Sequence, residues 1–219
     1  MASSKGCVIE GQRAPSEQDV LFLMYKAWGE AVEVYLVRHT TPAIDRGTCY
    51  GQLDVGVTES FEDELMRLCE HLPLDKEWVC YASPLLRCAL LARTLRGEGE
   101  VHWDDRIKEL SFGEWEGLPW SEIDAEVRAA WMKDFAENKT PGGESYREMY
   151  ERCEAFWADL LEQDHEQVVI VAHGGSIRAL LMRVLNIPLS NLYHFELEFG
   201  SVSKIQVHRG REKVMFINR

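Results

Sequence analysis

The sequence predicts an α/β fold, a three-layer α/β/α sandwich around a mostly parallel central sheet. Three observations carry that expectation. Short aliphatic and β-branched runs at residues 34–37, 78–82 and 168–172 read as buried strands. The segments between them place apolar residues at helical spacing, and strands alternating with helices build a parallel sheet covered on both faces. His39 and His173 each stand just past such a run, where open α/β sheets place their ligand crevice.

The elements follow in order. Residues 1–32 form an N-terminal extension, polar as far as residue 17, with apolar positions for one short helix over Asp19–Trp28. Residues 33–219 hold the single domain that a chain of this length supports. The first strand ends at Arg38-His39, and a loop rich in Pro, Gly, Thr and Asp runs from Thr40 to about Thr58, long enough to be functional. A helix over Glu59–Leu72 carries Leu65, Leu68, Cys69 and Leu72 on one face. The strand Trp78–Ala82 leads into a helix over Leu85–Leu95, with Pro84 at its first turn, where a missing N–H costs nothing.

Val101–Trp103 reads as a short strand and Ile107–Leu118 as a loop of aromatic, Gly and Glu residues. Helices are expected over Trp120–Phe135 and Ser145–Leu161, separated by the breaker Thr140-Pro141-Gly142-Gly143. The strand 168–172 precedes a Gly-Gly turn and a helix over Ser176–Leu185. Strands are then expected at Tyr193–Phe199, at Val202–His208 and, with less pattern, at 213–218.

Composition narrows the function. The net charge of −13 argues against nucleic acid or an anionic membrane as the main partner, since both need a basic face. No run reaches the length of about 18 apolar residues that a membrane span needs. Lys26, Glu10, Asp19 and Glu30 break up any leader-like stretch, which points to the cytoplasm. The six cysteines show no paired spacing and read as free thiols of a reducing compartment, with no metal site. The sequence leaves a homodimer open.

Arg38-His39 is a weak signal alone, but its place after a strand directs it to an edge or a crevice. A guanidinium there offers a planar fork of donors suited to phosphate. Ser83-Pro84-Leu85-Leu86-Arg87 sets a second arginine one turn beyond another strand end. His173-Gly174 sets a second histidine beyond a third, next to an amide without a neighbouring Cβ. Two imidazoles and two guanidiniums thus converge.

With Glu109-Leu110-Ser111-Phe112-Gly113-Glu114-Trp115-Glu116-Gly117, these segments appear in the order found in one family. The chain resembles the histidine phosphatase (phosphoglycerate mutase-like) superfamily over roughly residues 33–210. Thr40-Thr41-Pro42 and Gly47–Asp54 look most like its α-ribazole phosphatase branch. Two positions depart from the usual pattern. Thr40 stands where most relatives carry Gly, and Asp45 where many carry Asn, which weakens a mutase reading.

The resemblance implies a phosphomonoesterase acting on a small-molecule phosphate monoester without cofactor or metal. Neutral His39 would attack phosphorus to give a phosphohistidine, which water then hydrolyses. Arg38, Arg87, His173 and the Gly174 N–H would spread the charge of the phosphoryl oxygens. Glu109 matches the family's proton donor, kept protonated by burial beside the phosphate, and Glu114 and Glu116 fit solvated or loop-bracing carboxylates. Gln52 and Tyr50 fall in the long loop, where contact with substrate and bracing of a turn are equally open. Arg178 reads as half of a surface ion pair, and Trp115 is the tryptophan placed to wall the pocket. α-Ribazole 5'-phosphate is the favoured substrate. The alternatives are a sugar-phosphate or nucleotide phosphatase of broad specificity, a mutase, and a non-catalytic protein that only holds a phosphorylated ligand.

Overall fold

A computed structural model describes residues 31–72 and 77–219. The extension and its expected helix over Asp19–Trp28 lie outside the described residues, apart from the last two positions of the extension. The sheet is built from β1 (Val32–Arg38), β2 (Trp78–Ala82), β3 (Val101–Trp103), β4 (Gln167–Ala172), β5 (Val202–His208) and β6 (Arg211–Phe216). The helices are α1 (Phe61–Cys69), α2 (Leu86–Arg96), α3 (Ala125–Lys133), α4 (Tyr146–Leu161) and α5 (Gly174–Leu185).

The strand order is β3-β2-β4-β1-β5-β6. β3, β2, β4 and β1 run parallel, while β5 and β6 close the β1 side as an antiparallel pair, so the sheet is mixed. Strict alternation along the central strands explains why these runs are almost wholly apolar. Val34 and Leu36 of β1, with Val168, Ile170 and Ala172 of β4, pack under residues of α4 and α5. Tyr35 and Val37, with Val169 and Val171, pack on the opposite face against Leu68 of α1 and Cys88, Leu91 and Ala92 of α2. Strands buried on both faces have no polar side to show.

Several boundaries differ from expectation for local reasons. Pro84 lies outside α2, since Leu85 is its extended N-cap and Asp54 of the long loop accepts the Leu86 N–H at 2.6 Å. α3 is shorter than the expected Trp120–Phe135 because Asp124 caps it, accepting from the Glu126 and Val127 N–H groups. The two glycines after His173 are not a turn but the first residues of α5, with His173 as N-cap. Tyr193–Phe199 is irregular and pairs with no strand, while β6 begins earlier than expected and forms a hairpin with β5. The segment 107–118 is punctuated by single turns at Asp105–Ile107 and Gly113–Trp115. The five cysteines among the described residues are free, and Cys7 lies outside them. No helix among the described residues is long and apolar enough to cross a membrane.

α4 opens with a capping box in which the Ser145 side chain accepts the Glu148 N–H while Glu148 accepts the Ser145 N–H. Ser145→Ala removes one half of this exchange next to buried Tyr146. The expected cost is about 1 kcal/mol of unfolding free energy, read from denaturant midpoints. An unchanged midpoint would show that the box does not hold the helix start.

Candidate active site

The parallel register brings the predicted residues together. Arg38 pairs with Ala172 and Ala82 with Val171, so His39, His173 and Ser83 each begin just past the last pairs of adjacent strands. The His39 N–H donates to Ala172 O, and the Ser83 N–H donates to Val171 O. The two imidazoles meet edge to face with centroids 5.1 Å apart, and both are buried.

His39 is fixed by its own neighbour. Nδ1 lies 2.7 Å from the carbonyl oxygen of Thr40, which can only accept, so Nδ1 carries the proton and Nε2 keeps its lone pair. Nε2 faces Arg87, whose Nε–H donates to it at 3.3 Å. Burial, followed by the nearby Arg87 and Arg38 guanidiniums, holds the imidazole well below its ordinary pKa. His173 sits 2.8 Å from the Ser83 hydroxyl through Nε2, and burial with Arg87 beside it depresses its pKa in the same direction.

Arg87 is fully buried on α2 and donates to Gly51 O at 2.6 Å and Leu53 O at 3.0 Å, tying the long loop to His39. Arg38 donates through Nη1 to Leu197 O and lies over the Phe199 ring, 3.9 Å from its centroid. Its Nε–H is buried without a partner among the described residues, a donor that an oxyanion would satisfy. The segment expected as a strand at 193–199 therefore supplies a carbonyl and a ring to the site.

Glu109 projects beside these groups. Its Oε2 accepts the Gly175 N–H at 3.0 Å and its Oε1 accepts the Leu110 N–H at 2.9 Å. Gly175 must be glycine for this approach, since a Cβ there would fall 2.1 Å from Glu109 Oε1. Glu116 braces the loops instead, accepting the Gln52 and Phe112 N–H groups, and Glu114 is exposed.

A cavity opens from Arg38 and Glu109, lined also by Tyr50, Phe112, Trp120, Tyr146, Gly174 and Arg178. Two expectations change here. Trp120, not Trp115, walls this cavity; Trp115 is buried among Trp120 and Trp131. Arg178 is no surface group, because its side chain is only 13% exposed and its pairing with exposed Glu196 is loose at 3.8 Å. Gln52 turns its amide to Glu109 O at 3.0 Å and towards Glu144, contacts that brace the loop.

Sequence reasoning missed Arg152 and Glu144. Arg152 on α4 donates to the carbonyls of Arg106, Lys108 and Glu109 and forms a two-pronged pair with Glu144, so it holds the backbone under Glu109. A generic Arg in a helix carries no local mark of such a role. Among the described residues no three His, Cys, Asp or Glu side chains gather as a ligand set for a metal ion.

Such a site sets a neutral imidazole nitrogen, its lone pair retained, beside two guanidiniums and a second neutral imidazole. That is the environment an anionic tetrahedral group requires.

Comparison with known proteins agrees with this geometry. The family model described as the histidine phosphatase superfamily (branch 1) matches residues 34–219. An adenosylcobalamin/α-ribazole phosphatase of Salmonella typhimurium is 29% identical over 197 residues, spanning 85% of this chain and 96% of its own. A phosphoserine phosphatase of Hydrogenobacter thermophilus is 28% identical over 194 residues, spanning 85% and 92%. Among solved structures, the α-ribazole phosphatase from Shigella flexneri superposes with a TM-score of 0.78 at 25% identity, covering 86% of this chain and 96% of that one. A mycobacterial glucosyl-3-phosphoglycerate phosphatase superposes at 0.73 and 27% identity, covering 86% and 99%.

The buried histidines give a pH signature. Both have depressed values in the folded chain, so below pH 6.5 the unfolded chain takes up protons that the native state does not. Their contribution is intact above that pH and lost as pH falls through it, at up to about 1.4 kcal/mol per histidine per pH unit. The melting temperature of the wild type is expected to fall more steeply between about pH 7.5 and 5.5 than that of His173→Asn. Parallel curves would show that His173 takes up its proton alike in the folded and unfolded chains, against a depressed value.

Proposed function

The chain belongs to the histidine phosphatase superfamily, branch 1, and we propose that it is a metal-independent phosphomonoesterase working through a phosphohistidine on His39. The catalytic unit on this reading is residues 33–219. One observation carries it: a buried neutral imidazole of defined tautomer, with Nε2 directed at Arg87 and flanked by Arg38 and His173.

In the first step the Nε2 lone pair forms a bond to phosphorus while the phosphorus–oxygen bond to the leaving group breaks in line. Arg87 Nε–H, which points at Nε2 in the free site, then meets a phosphoryl oxygen instead. The unpartnered Arg38 Nε–H and His173 hold other oxygens, donors already in place when charge develops. Glu109 gives a proton to the departing alkoxide. In the second step it accepts a proton from the attacking water, which displaces His39 from phosphorus. Gln52 serves indirectly, by bracing Glu109.

α-Ribazole 5'-phosphate is the substrate this reading favours. The relatives named for it span most of the chain, and the aromatic wall of Tyr50, Phe112, Trp120 and Tyr146 suits a planar ring on the leaving group. A second reading has its own observation. Arg178 lines the same cavity with only a loose carboxylate partner, which suits a leaving group bearing a carboxylate, such as phosphoserine or a phosphoglycerate.

Hydrolysis of an aryl phosphate is expected to proceed with excess chelator present and to fall by about 10⁴-fold or more in His39→Ala, the scale of losing a covalent nucleophile. Intact mass of the trapped wild type should show a base-stable, acid-labile phosphoryl adduct. Turnover surviving in His39→Ala would refute the assignment. For the leaving group, Arg178→Gln is expected to leave α-ribazole 5'-phosphate turnover nearly unchanged. A drop in kcat/KM of about tenfold or more for phosphoserine, in a wild type that prefers it, would decide for the second reading.

A further inference from the structure

One peptide group away from the His39 ring lies a carboxylate that the mechanism above does not use. Glu64, on α1, is 6% exposed. Its Oε2 accepts the Thr41 N–H at 2.8 Å, and its Oε1 accepts the Ser60 hydroxyl at 2.6 Å. Ser60 in turn shares a hydrogen bond with Thr58 at 2.7 Å. Both carboxylate oxygens are thus engaged by neutral donors, and a buried charge held in that way needs a reason.

The reason lies in the covalent structure between Glu64 and His39. The Thr41 N–H and the Thr40 C=O belong to one peptide group. That carbonyl is the acceptor for His39 Nδ1–H at 2.7 Å. Carboxylate, peptide and imidazole therefore form a continuous chain, with Glu64 pulling on one end of the peptide dipole and His39 donating to the other. An anion at the N–H end makes the carbonyl oxygen more negative, and hydrogen bonds in series strengthen one another by roughly 10–30% per bond.

The rest of the surroundings holds the chain in line. Gly200 donates to His39 O at 3.1 Å. It adopts a left-handed φ of +69°, and a Cβ there would sit 3.6 Å from Glu64 Oε2. His39 is otherwise faced by the cations Arg87 and Arg38, the neutral imidazole of His173 and the Phe199 ring, with no anion among them. These suit an incoming phosphate but oppose the positive charge that an imidazole gains once Nε2 has bonded to phosphorus. Glu64 is the anion on the opposite, Nδ1 side.

We propose that Glu64 is a positioning residue for His39, acting through the Thr40–Thr41 peptide to hold the Nδ1-protonated tautomer and to stabilise the imidazole as it becomes cationic on phosphorylation. The arrangement parallels an acid that orients a histidine base, with one peptide group interposed. This inference rests on His39 being the nucleophile.

Glu64→Gln keeps an acceptor for the Thr41 N–H and removes the charge, whereas Ser60→Ala keeps the charge and removes a lateral bond. With an aryl phosphate, Glu64→Gln is expected to slow single-turnover phosphorylation about tenfold with the inhibition constant for inorganic phosphate unchanged. Ser60→Ala should react at the wild-type rate. In ¹H–¹⁵N spectra, His39 of the wild type should show a protonated Nδ1 and a bare Nε2, and the variant a larger share of the other tautomer. If Glu64→Gln does not fold, Glu64→Asp, which draws the carboxylate back by one methylene, should show the same pattern to a smaller degree. A folded Glu64→Gln with wild-type rate and tautomer would overturn the proposal. So would a slowing matched by equal loss of phosphate affinity. Either result beside an inactive His39→Ala leaves the nucleophile standing, while an active His39→Ala removes the premise instead.

Discussion

The structure depends on the in-register parallel pairing of β1 with β4. Both strands are buried on both faces, and their ladder ends at Arg38 opposite Ala172. Because side chains alternate with period two, a slip of one residue would exchange every core residue between two differently packed apolar layers, so close packing on both faces locks the register. The same lock sets where the two histidines stand, each one residue past the last pair. Their 5.1 Å approach is thus a by-product of core packing rather than of loop geometry. Precision at the site is inherited from the most rigid part of the molecule.

Charge follows from that placement. The chain carries a net charge of −13, yet the pocket gathers Arg38, Arg87 and Arg178. Clustered guanidiniums repel unless something fixed offsets them, and here the offset is mostly backbone: Gly51 O, Leu53 O, Leu197 O and Phe195 O accept from the three arginines. Neutral acceptors tether the cations without cancelling them, so the field at the strand ends stays positive. A carboxylate in those places would have satisfied the arginines and competed with phosphate. The carboxylates present, Glu109 and Glu64, are bound instead to backbone N–H and hydroxyl groups.

How much of this was legible in the sequence follows from the range of each interaction. The central strands, the long loop and the helices of α1, α2 and α4 announce themselves by local periodicity and turn residues, and the arginines and histidines at strand ends are local too. Tyr193–Phe199 has strand-like composition but joins neither edge of the sheet, and it is held across the site by Arg38 and Arg178. Arg178, Arg152 and Glu64 lie on helices whose sequence shows only amphipathic spacing. Their roles rest on partners that include ones 17 positions away for Arg178, 43 to 46 for the carbonyls held by Arg152 and 23 for Glu64, and no local signal encodes those pairings. Glu109, Glu114 and Glu116 share one short segment, so resemblance alone set Glu109 apart, and the folded loop supplies the contacts that distinguish the three.

The same division bears on how the chemistry and the choice of substrate can vary independently. His39, the guanidiniums and His173 sit at strand ends and helix starts, where a substitution disturbs the core as well as the site. The aromatic wall comes from the loop carrying Tyr50, the turn carrying Phe112 and the approach to α3 carrying Trp120, none of which contributes to the sheet. Those surfaces can change shape at little cost to stability. Relatives named for α-ribazole phosphate, phosphoserine and glucosyl-3-phosphoglycerate share this fold over most of its length. That spread is what a rigid phosphoryl site bordered by adaptable loops would produce.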